Sequence, residues 1–103
     1  KLGGGSTMSA QIVVDPALDR MCSRLTEAFS PVGPTNYQFR KDGDNYLLLE
    51  INPRLSSSSS LRTLFGFNEV EMAIEFMLEG RRPMPRPARA GQAVRFIADH
   101  LAQ

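Results

Sequence analysis

The sequence predicts an α+β fold, in which an antiparallel β-sheet packs against helices. Three observations lead to this class. Two strand-like runs flank an Asp-Gly turn, which is typical of a β-hairpin. Two segments, 16–29 and 69–78, repeat apolar residues at the spacing of an amphipathic helix. A short strand-like segment, Met8–Val14, precedes the first of these helices and is expected to join the hairpin in one antiparallel sheet.

Size and composition indicate one small folded domain or a piece of a larger one: 103 residues, 42% hydrophobic and 22% charged. A formal net charge of +1 gives no general reason to expect nucleic acid or an anionic membrane as partner. The single cysteine, Cys22, and the single histidine, His100, argue against an internal disulfide, a Cys/His zinc site and a His-based triad. No apolar run approaches the roughly 20 residues of a membrane span, and no signal-peptide pattern is visible. We therefore expect a cytoplasmic location.

The first seven residues, K-L-G-G-G-S-T, allow two interpretations. Glycine and serine before a methionine are typical of an expression tag or linker. The same residues could equally form a native loop that leads into the Met8–Val14 strand. Composition does not decide between the two.

The first helix is predicted to begin at Asp15-Pro16, with aspartate as N-cap and proline at the first helical position. Ser30-Pro31 ends it. Its apolar stripe consists of Leu18, Met21, Cys22, Leu25, Ala28 and Phe29. Because Cys22 lies within that stripe and no histidine is near it in sequence, we interpret it as a small buried hydrophobe rather than a nucleophile.

The hairpin, over 35–51, is expected to gather polar residues at one end. A three-residue loop, Gly43–Asn45, pairs Gln38 with Glu50 and Asn36 with Asn52, and places Phe39 opposite Leu49. Residues i and i+2 of a strand share a face. The sequence therefore predicts an oxygen-rich group of Gln38, Glu50 and Asn52, here called the polar patch.

Carboxylate and amide oxygens suit a hard cation such as Mg²⁺, and Arg54, just beyond the strand, suits phosphate. The alternative is a solvated hairpin face, on which Gln, Asn and Glu are common. In the predicted register Tyr46 and Leu48 share the face of the polar patch. This argues against a face that is simply exposed.

The second half of the chain begins with a short apolar stripe over 61–65, ended by Gly66. Asn68 and Glu71 form a capping box for a helix over Glu69–Leu78. The arginine- and proline-rich segment 81–89 is typical of an extended surface connector, and a terminal strand is expected from about Ala93 to Ile97. We accordingly divide the chain into 1–80 and 81–103.

The run N-Y-Q-F, followed at its observed spacing by E-I-N-P-R-L-S-S-S-S-S-L, resembles the ATP-grasp superfamily. The nearest branch contains the carbamoyl phosphate synthetase large chain and biotin carboxylase. The resemblance covers about residues 3–79 and implies the C-terminal part of an ATP-grasp domain. The run G-G-G-S-T before a strand and a D-P-A-L helix also resembles the family, which favours a native origin for residues 1–7.

The resemblance implies an ATP-dependent ligase that joins a carboxylate to an amine or ammonia through an acyl-phosphate. Glu50 and Asn52 match the Mg²⁺ ligands that bridge to the ATP phosphates, and Gln38 matches a further metal ligand. Arg54 matches the catalytic residue that holds the transferred phosphoryl group, and Ser56 lies in the ATP-binding serine loop. The implied cofactors are ATP and Mg²⁺ or Mn²⁺.

Two departures from the family pattern concern the metal and the reaction. Gln38 is neutral where many ATP-grasp proteins place a carboxylate, so a second metal would be held more weakly. Ser57 stands where carbamoyl phosphate synthetases have an arginine, which argues against carbamoyl phosphate synthesis itself. The family's glycine-rich loop and ATP-binding lysines are not found in this segment. By itself it is expected to be inactive.

The implied partners are ATP, a small-molecule carboxylate, and an N-terminal ATP-grasp portion in cis or in trans. A homodimer is left open, and a membrane is not expected. One alternative is a non-catalytic binding or assembly domain derived from the fold, or one half of a split enzyme. Another is nucleic-acid binding through Arg81–Arg95, which the absence of interleaved aromatic residues in 81–89 disfavours.

Overall fold

The computed structural model describes residues 2–3, 6–84, 88–96, 98–99 and 101. Ile97, the predicted end of the terminal strand, and His100, the single histidine, lie outside them. The elements, in chain order, are β1 (Leu2–Gly3), β2 (Ser6–Thr7), β3 (Ser9–Gln11), α1 (Pro16–Phe29), β4 (Asn36–Asp42), β5 (Asn45–Asn52), α2 (Ser59–Leu64), α3 (Glu69–Glu79) and β6 (Gln92–Val94). All strand pairs are antiparallel: β1 with β2, β3 with β6, and β4 with β5. The predicted α+β class is confirmed.

Both long helices begin and end as the sequence predicts. Asp15 caps α1, since its Oδ1 accepts a hydrogen bond from the backbone N–H of Ala17 at 2.9 Å. Asn68 caps α3 in the same way, accepting from the backbone N–H of Glu71 at 3.3 Å. Ser30 ends α1 with φ of 44°, and Gly80 ends α3 with φ of 66°. Both helices thus end at a residue in the left-handed conformation that is common at helix C-termini.

The hairpin keeps the predicted pairing at its polar end and departs from it at its turn. Asn36 lies opposite Asn52 and Gln38 opposite Glu50, but Phe39 lies opposite Leu48 rather than Leu49. The turn is a two-residue loop, 43–44, and not the predicted three-residue loop. Leu49 is the extra residue of a β-bulge, which absorbs the difference between the two registers.

Because of the bulge, the two faces of the hairpin carry different residues from those predicted. Beyond it, Tyr46 pairs with Lys41 and Leu48 with Phe39, so both join the face of Tyr37. The rings of Phe39 and Tyr46 accordingly meet edge to face, with centroids 6.3 Å apart. Tyr46 and Leu48 therefore lie on the face opposite the polar patch. The prediction that they share its face is wrong.

The strand at the N-terminal side does not join the hairpin. The sequence predicts Met8–Val14 in one sheet with it, whereas the strand is Ser9–Gln11 and its partner is Gln92–Val94. The small core of Leu61, Phe65 and Ala93 lies beside this strand pair, and Ala10 and Ile12 pack against it. Burial of these side chains between α2 and the β3–β6 pair explains why β3 pairs with the distant segment.

The core is small for the length of the chain. Only Leu61, Phe65 and Ala93 are buried hydrophobic residues among those described, and the apolar stripe of α1 contains no buried residue. The radius of gyration is 15.5 Å, against about 13 Å for a compact domain of this length. Much of the apolar surface of the described residues therefore faces outward.

Candidate active-site patch

The structure brings all three residues of the polar patch onto one face of the hairpin. Gln38 lies directly opposite Glu50, and Asn52 follows Glu50 by two positions. Gln38 and Glu50 are exposed, while Asn52 is only 8% exposed. The polar patch thus runs from solvent at Gln38 and Glu50 to a buried amide at Asn52.

Asn52 has an unsatisfied buried polar atom. Its Nδ2 is shielded from solvent and has no hydrogen-bond partner among the described residues. Such an atom usually costs about 1–3 kcal/mol. The amide oxygen and nitrogen of asparagine are distinguished only by their hydrogen bonds, so rotation of the amide would place its oxygen at the same point. The described residues therefore supply no hydrogen-bond partner for Nδ2 of Asn52.

The neighbouring amide, Asn36, takes part in a charged network through its Oδ1. Its Oδ1 accepts from Nη2 of Arg62 at 2.8 Å, and Nη1 of Arg62 donates to Oε2 of Glu69 at 3.0 Å. The hydroxyl of Ser59 donates to the other carboxylate oxygen of Glu69. Glu69 is 7% exposed. This network joins β4, α2 and α3 beside Asn52, the cross-strand partner of Asn36.

A tight turn places Arg54 directly after the polar patch. The backbone N–H of Arg54 donates to the carbonyl of Asn52 at 2.8 Å, across Pro53. The fixed φ of proline suits such a three-residue turn. The Arg54 side chain is exposed, and its one hydrogen bond among the described residues is from Nη1 to the carbonyl of Leu55 at 3.1 Å. Most of the donors of this guanidinium therefore remain available.

The serine loop is held in shape by its own hydroxyls. Ser56 Oγ accepts from the backbone N–H of Ser58 at 3.2 Å, and the carbonyl of Ser56 accepts from the hydroxyl of Ser59 at 2.8 Å. Arg95 donates from Nη2 to the carbonyl of Ser57 at 2.6 Å and to the hydroxyl of Ser60 at 2.9 Å. These hydrogen bonds therefore hold the segment 56–60 against the start of α2 and the C-terminal segment.

The other face of the hairpin is attached to α1 at two points. The hydroxyl of Tyr46 donates to Oδ2 of Asp15 at 2.5 Å, and the hydroxyls of Tyr37 and Thr26 lie 3.2 Å apart. The hydrogen bond from Tyr46, with a further one from the backbone of Ala17, lowers the pKa of the Asp15 carboxyl. Because α1 is attached to this side, it leaves the face of the polar patch uncovered.

Cys22 lies half-buried on α1, whereas the polar patch lies on β4 and β5. Burial, and secondarily the charge of Asp19, raises the pKa of its thiol above the ordinary value. A raised pKa reduces the thiolate fraction at neutral pH, so Cys22 is poorly suited to act as a nucleophile.

Comparison with known families decides what kind of domain carries this face. The family described as "ATP-grasp in the biosynthetic pathway with Ter operon" matches residues 1–100. The chain belongs to this ATP-grasp family. The ATP-grasp resemblance is thereby confirmed, whereas the nearer likeness to carbamoyl phosphate synthetase and biotin carboxylase stays a prediction. No curated protein and no solved structure gives a match.

ATP-grasp domains in general are of ligase type and bind ATP and Mg²⁺. The donor set of the polar patch fits such a cation, because it offers one carboxylate, Glu50, and two amide oxygens, from Gln38 and Asn52. No group of three or more His, Cys, Asp or Glu that could hold a metal is found within the described residues. In phosphate-binding sites Mg²⁺ is usually held by one or two carboxylates, with water and the phosphates as its other ligands.

Two side-chain contacts beside the polar patch are not visible in the sequence pattern. Arg62 resembles a solvated surface arginine, yet its side chain is 29% exposed and bound to Glu69. The two residues are separated by the helix break at Gly66, so no i,i+4 spacing marks the pair. Arg95 belongs to the basic C-terminal segment but contacts the serine loop.

None of the described helices is long and apolar enough to cross a membrane.

Proposed function

We propose that this chain supplies the Mg²⁺- and phosphoryl-binding portion of an ATP-dependent ligase, which joins a carboxylate to an amine or ammonia through an acyl-phosphate. The observation that supports this most is the polar patch itself. Gln38 and Glu50 lie opposite each other, and the buried amide of Asn52, whose Nδ2 has no partner among the described residues, adjoins them. The family match supplies the ATP-grasp setting.

In this proposal Glu50, Asn52 and Gln38 hold the cation, Mg²⁺ or Mn²⁺, which when bound would neutralise charge on the ATP phosphate oxygens. The exposed guanidinium of Arg54 binds the transferring phosphoryl group through charge-assisted hydrogen bonds. Ser56 contributes to ATP binding through the serine loop, whose shape its hydrogen bonds maintain. Preorganised charge of this kind lowers the barrier because the phosphoryl oxygens carry the developing negative charge.

The ligase also needs residues for the adenine and for the outer phosphates, and we propose that an N-terminal ATP-grasp portion provides them in cis or in trans. The outward apolar face of α3 supports such a partner surface. Val70, Ile74, Met77 and Leu78 of this helix are all exposed hydrophobic side chains. Apolar exposure on this scale is typical of surfaces that pack against another domain or chain.

We further propose a cytoplasmic enzyme whose nearest relatives in mechanism are carbamoyl phosphate synthetase and biotin carboxylase. The shared E-x-N-P-R run and the serine loop support this placement. Ser57, at the position of an arginine in carbamoyl phosphate synthetases, favours a different acid as substrate.

The test is Mg²⁺-dependent ATP turnover by the full-length protein, with Glu50→Ala and Asn52→Ala. Each substitution should abolish turnover, because each removes an oxygen ligand. Asp44→Ala is the matched control, since Asp44 is an exposed carboxylate at the opposite end of the same hairpin. It should retain the activity of the unmodified protein. Full turnover in both polar-patch variants would overturn the assignment.

A non-catalytic assembly domain is the second candidate function, and the exposed apolar residues of α3 favour it. The two candidates differ in one measurement. An assembly domain would bind its partner chain with unchanged affinity in the Glu50→Ala variant and would show no ATP turnover before substitution. The ligase shows turnover that Glu50→Ala removes.

A further inference from the structure

A cavity of about 560 Å³ lies between the segment 31–35 and α3, and none of the polar patch lines it. Its volume falls within the range of about 300–1,000 Å³ that is usual for small-molecule sites. Most of its wall is apolar and comes from Val32, Phe67, Met72 and Phe76. Such a wall suits an apolar ligand body.

The charged residues of the cavity leave a positive surplus. Glu69 is its one acidic residue, and both of its carboxylate oxygens already accept hydrogen bonds, from Ser59 and Arg62. Arg62 in turn is held by Glu69 and Asn36. Arg82 also lines the cavity and has no hydrogen bond or ion pair within the described part of the chain. Arg82 is exposed, so its guanidinium is available to bind an anion beside the cavity.

We propose that this cavity binds a small carboxylate with an apolar body, with Arg82 as the partner of the carboxylate. The cavity adjoins the polar patch, because Arg62 lines it and also binds Asn36, the cross-strand partner of Asn52. To name this ligand as the acid substrate rests on the proposed ligase function. The binding itself does not, since it needs neither ATP nor metal.

The experiment uses the full-length protein with ¹³C-labelled methionine methyl groups, without ATP or divalent metal. The probes are 4-phenylbutyrate and its neutral counterpart 4-phenylbutanol. Met72 lines the cavity and is the reporter, whereas Met21 on α1 does not line it and is the internal control. Phenylbutyrate should shift the Met72 signal saturably and leave Met21 in place. The alcohol should bind about tenfold more weakly, because it lacks the charge-assisted contact.

Two pairs of variants assign the site. Arg82→Gln should reduce the affinity for phenylbutyrate to that for the alcohol. Arg81→Gln should not, because the neighbouring Arg81 is paired with Glu79 and does not line the cavity. Ala73→Phe places a ring in the cavity and should abolish the Met72 response, while the same change at exposed Ala28 on α1 should preserve it.

Any of these results would overturn the proposal: no saturable Met72 shift, equal affinity for the acid and the alcohol, an unchanged affinity for phenylbutyrate in Arg82→Gln, or an unchanged response in Ala73→Phe. The Glu50→Ala variant separates this proposal from the ligase function. Its Met72 response should equal that of the unmodified protein even if ATP turnover is lost or was never present. A response that disappears in Glu50→Ala would contradict a site independent of the polar patch.

Discussion

Asn36 and Asn52 are cross-strand partners of the same residue type, yet the structure predicts opposite effects when each is replaced by leucine. Asn36 accepts a hydrogen bond from Arg62, whereas Nδ2 of Asn52 is buried and has no partner in the described part of the chain. Leucine matches asparagine in the number and branching of its side-chain heavy atoms and has no polar atoms. Asn52→Leu therefore removes an unsatisfied group, and Asn36→Leu creates one.

The magnitudes follow from these contacts. An unpaired buried polar group costs about 1–3 kcal/mol, so Asn52→Leu should raise the free energy of unfolding by about 1–2 kcal/mol. Asn36→Leu removes the acceptor of a charged donor, an interaction worth about 1.5–3 kcal/mol when buried. The Arg62 side chain is 29% exposed, so water partly replaces Asn36. We expect a loss of about 1 kcal/mol from Asn36→Leu.

Urea unfolding without ATP or divalent metal measures both changes, through the shift in midpoint at an unchanged slope. The titration is then repeated with Mg²⁺ and ATP. Ligands that bind only the folded state stabilise it by mass action, so the unmodified protein should gain stability and Asn52→Leu should gain much less. Refutation would come from an Asn52→Leu midpoint lowered as far as that of Asn36→Leu. In that case the amide of Asn52 has a partner in solution and is not held ready for a ligand.

Two further predictions concern the supports of the polar patch. Glu69→Ala should lower the free energy of unfolding by about 2–4 kcal/mol, because it leaves Arg62 without its buried carboxylate. Glu79→Ala breaks only a surface pair and should cost less than about 1 kcal/mol, so equal urea midpoints for the two variants would contradict this. Tyr46→Phe should return the lowered pKa of Asp15 toward its ordinary value, which a ¹³C carboxyl titration measures. A carboxyl whose pKa is lowered in the folded state stabilises that state at pH values above the unfolded pKa of about 3.9, and this stabilisation is lost as the pH falls. The Tyr46→Phe variant should therefore lose less stability on acidification than the unmodified protein. An unchanged pKa of Asp15 in this variant would disprove the contact.

The parts of the fold that the sequence predicts correctly are those with local physical signals. Asp15-Pro16 and Asn68 mark helix starts through hydrogen bonds to N–H groups within the next few residues. The polar end of the hairpin is also predicted, since the side-chain period of two fixes which residues oppose Glu50 and Asn52. These signals need no knowledge of distant residues.

The turn of the hairpin could not be predicted in the same way. Leu47, Leu48 and Leu49 are identical, so the hydrophobic pattern does not show which of them is the extra residue. A single register extended through this run produces the three-residue loop and the wrong face for Tyr46. The bulge becomes visible only through the pairing on both of its sides.

The pairing of β3 with β6 joins segments about 80 residues apart in sequence. Each strand has three residues, too few to show a clear alternation. The charged network of Arg62 is likewise assembled from three elements. Contacts of this kind depend on how the elements pack, which no local pattern records.

The bulge at Leu49 has a consequence for how this hairpin can vary between related sequences. With one leucine fewer in 47–49, the pairs Gln38–Glu50 and Phe39–Leu48 would follow each other in an uninterrupted ladder. Loss of one residue from the leucine run would therefore leave the polar patch unchanged. The same change between Glu50 and Asn52 would turn Asn52 to the opposite face. The structure thus tolerates a shorter leucine run, whereas the spacing from Glu50 to Asn52 is fixed by the geometry of the strand.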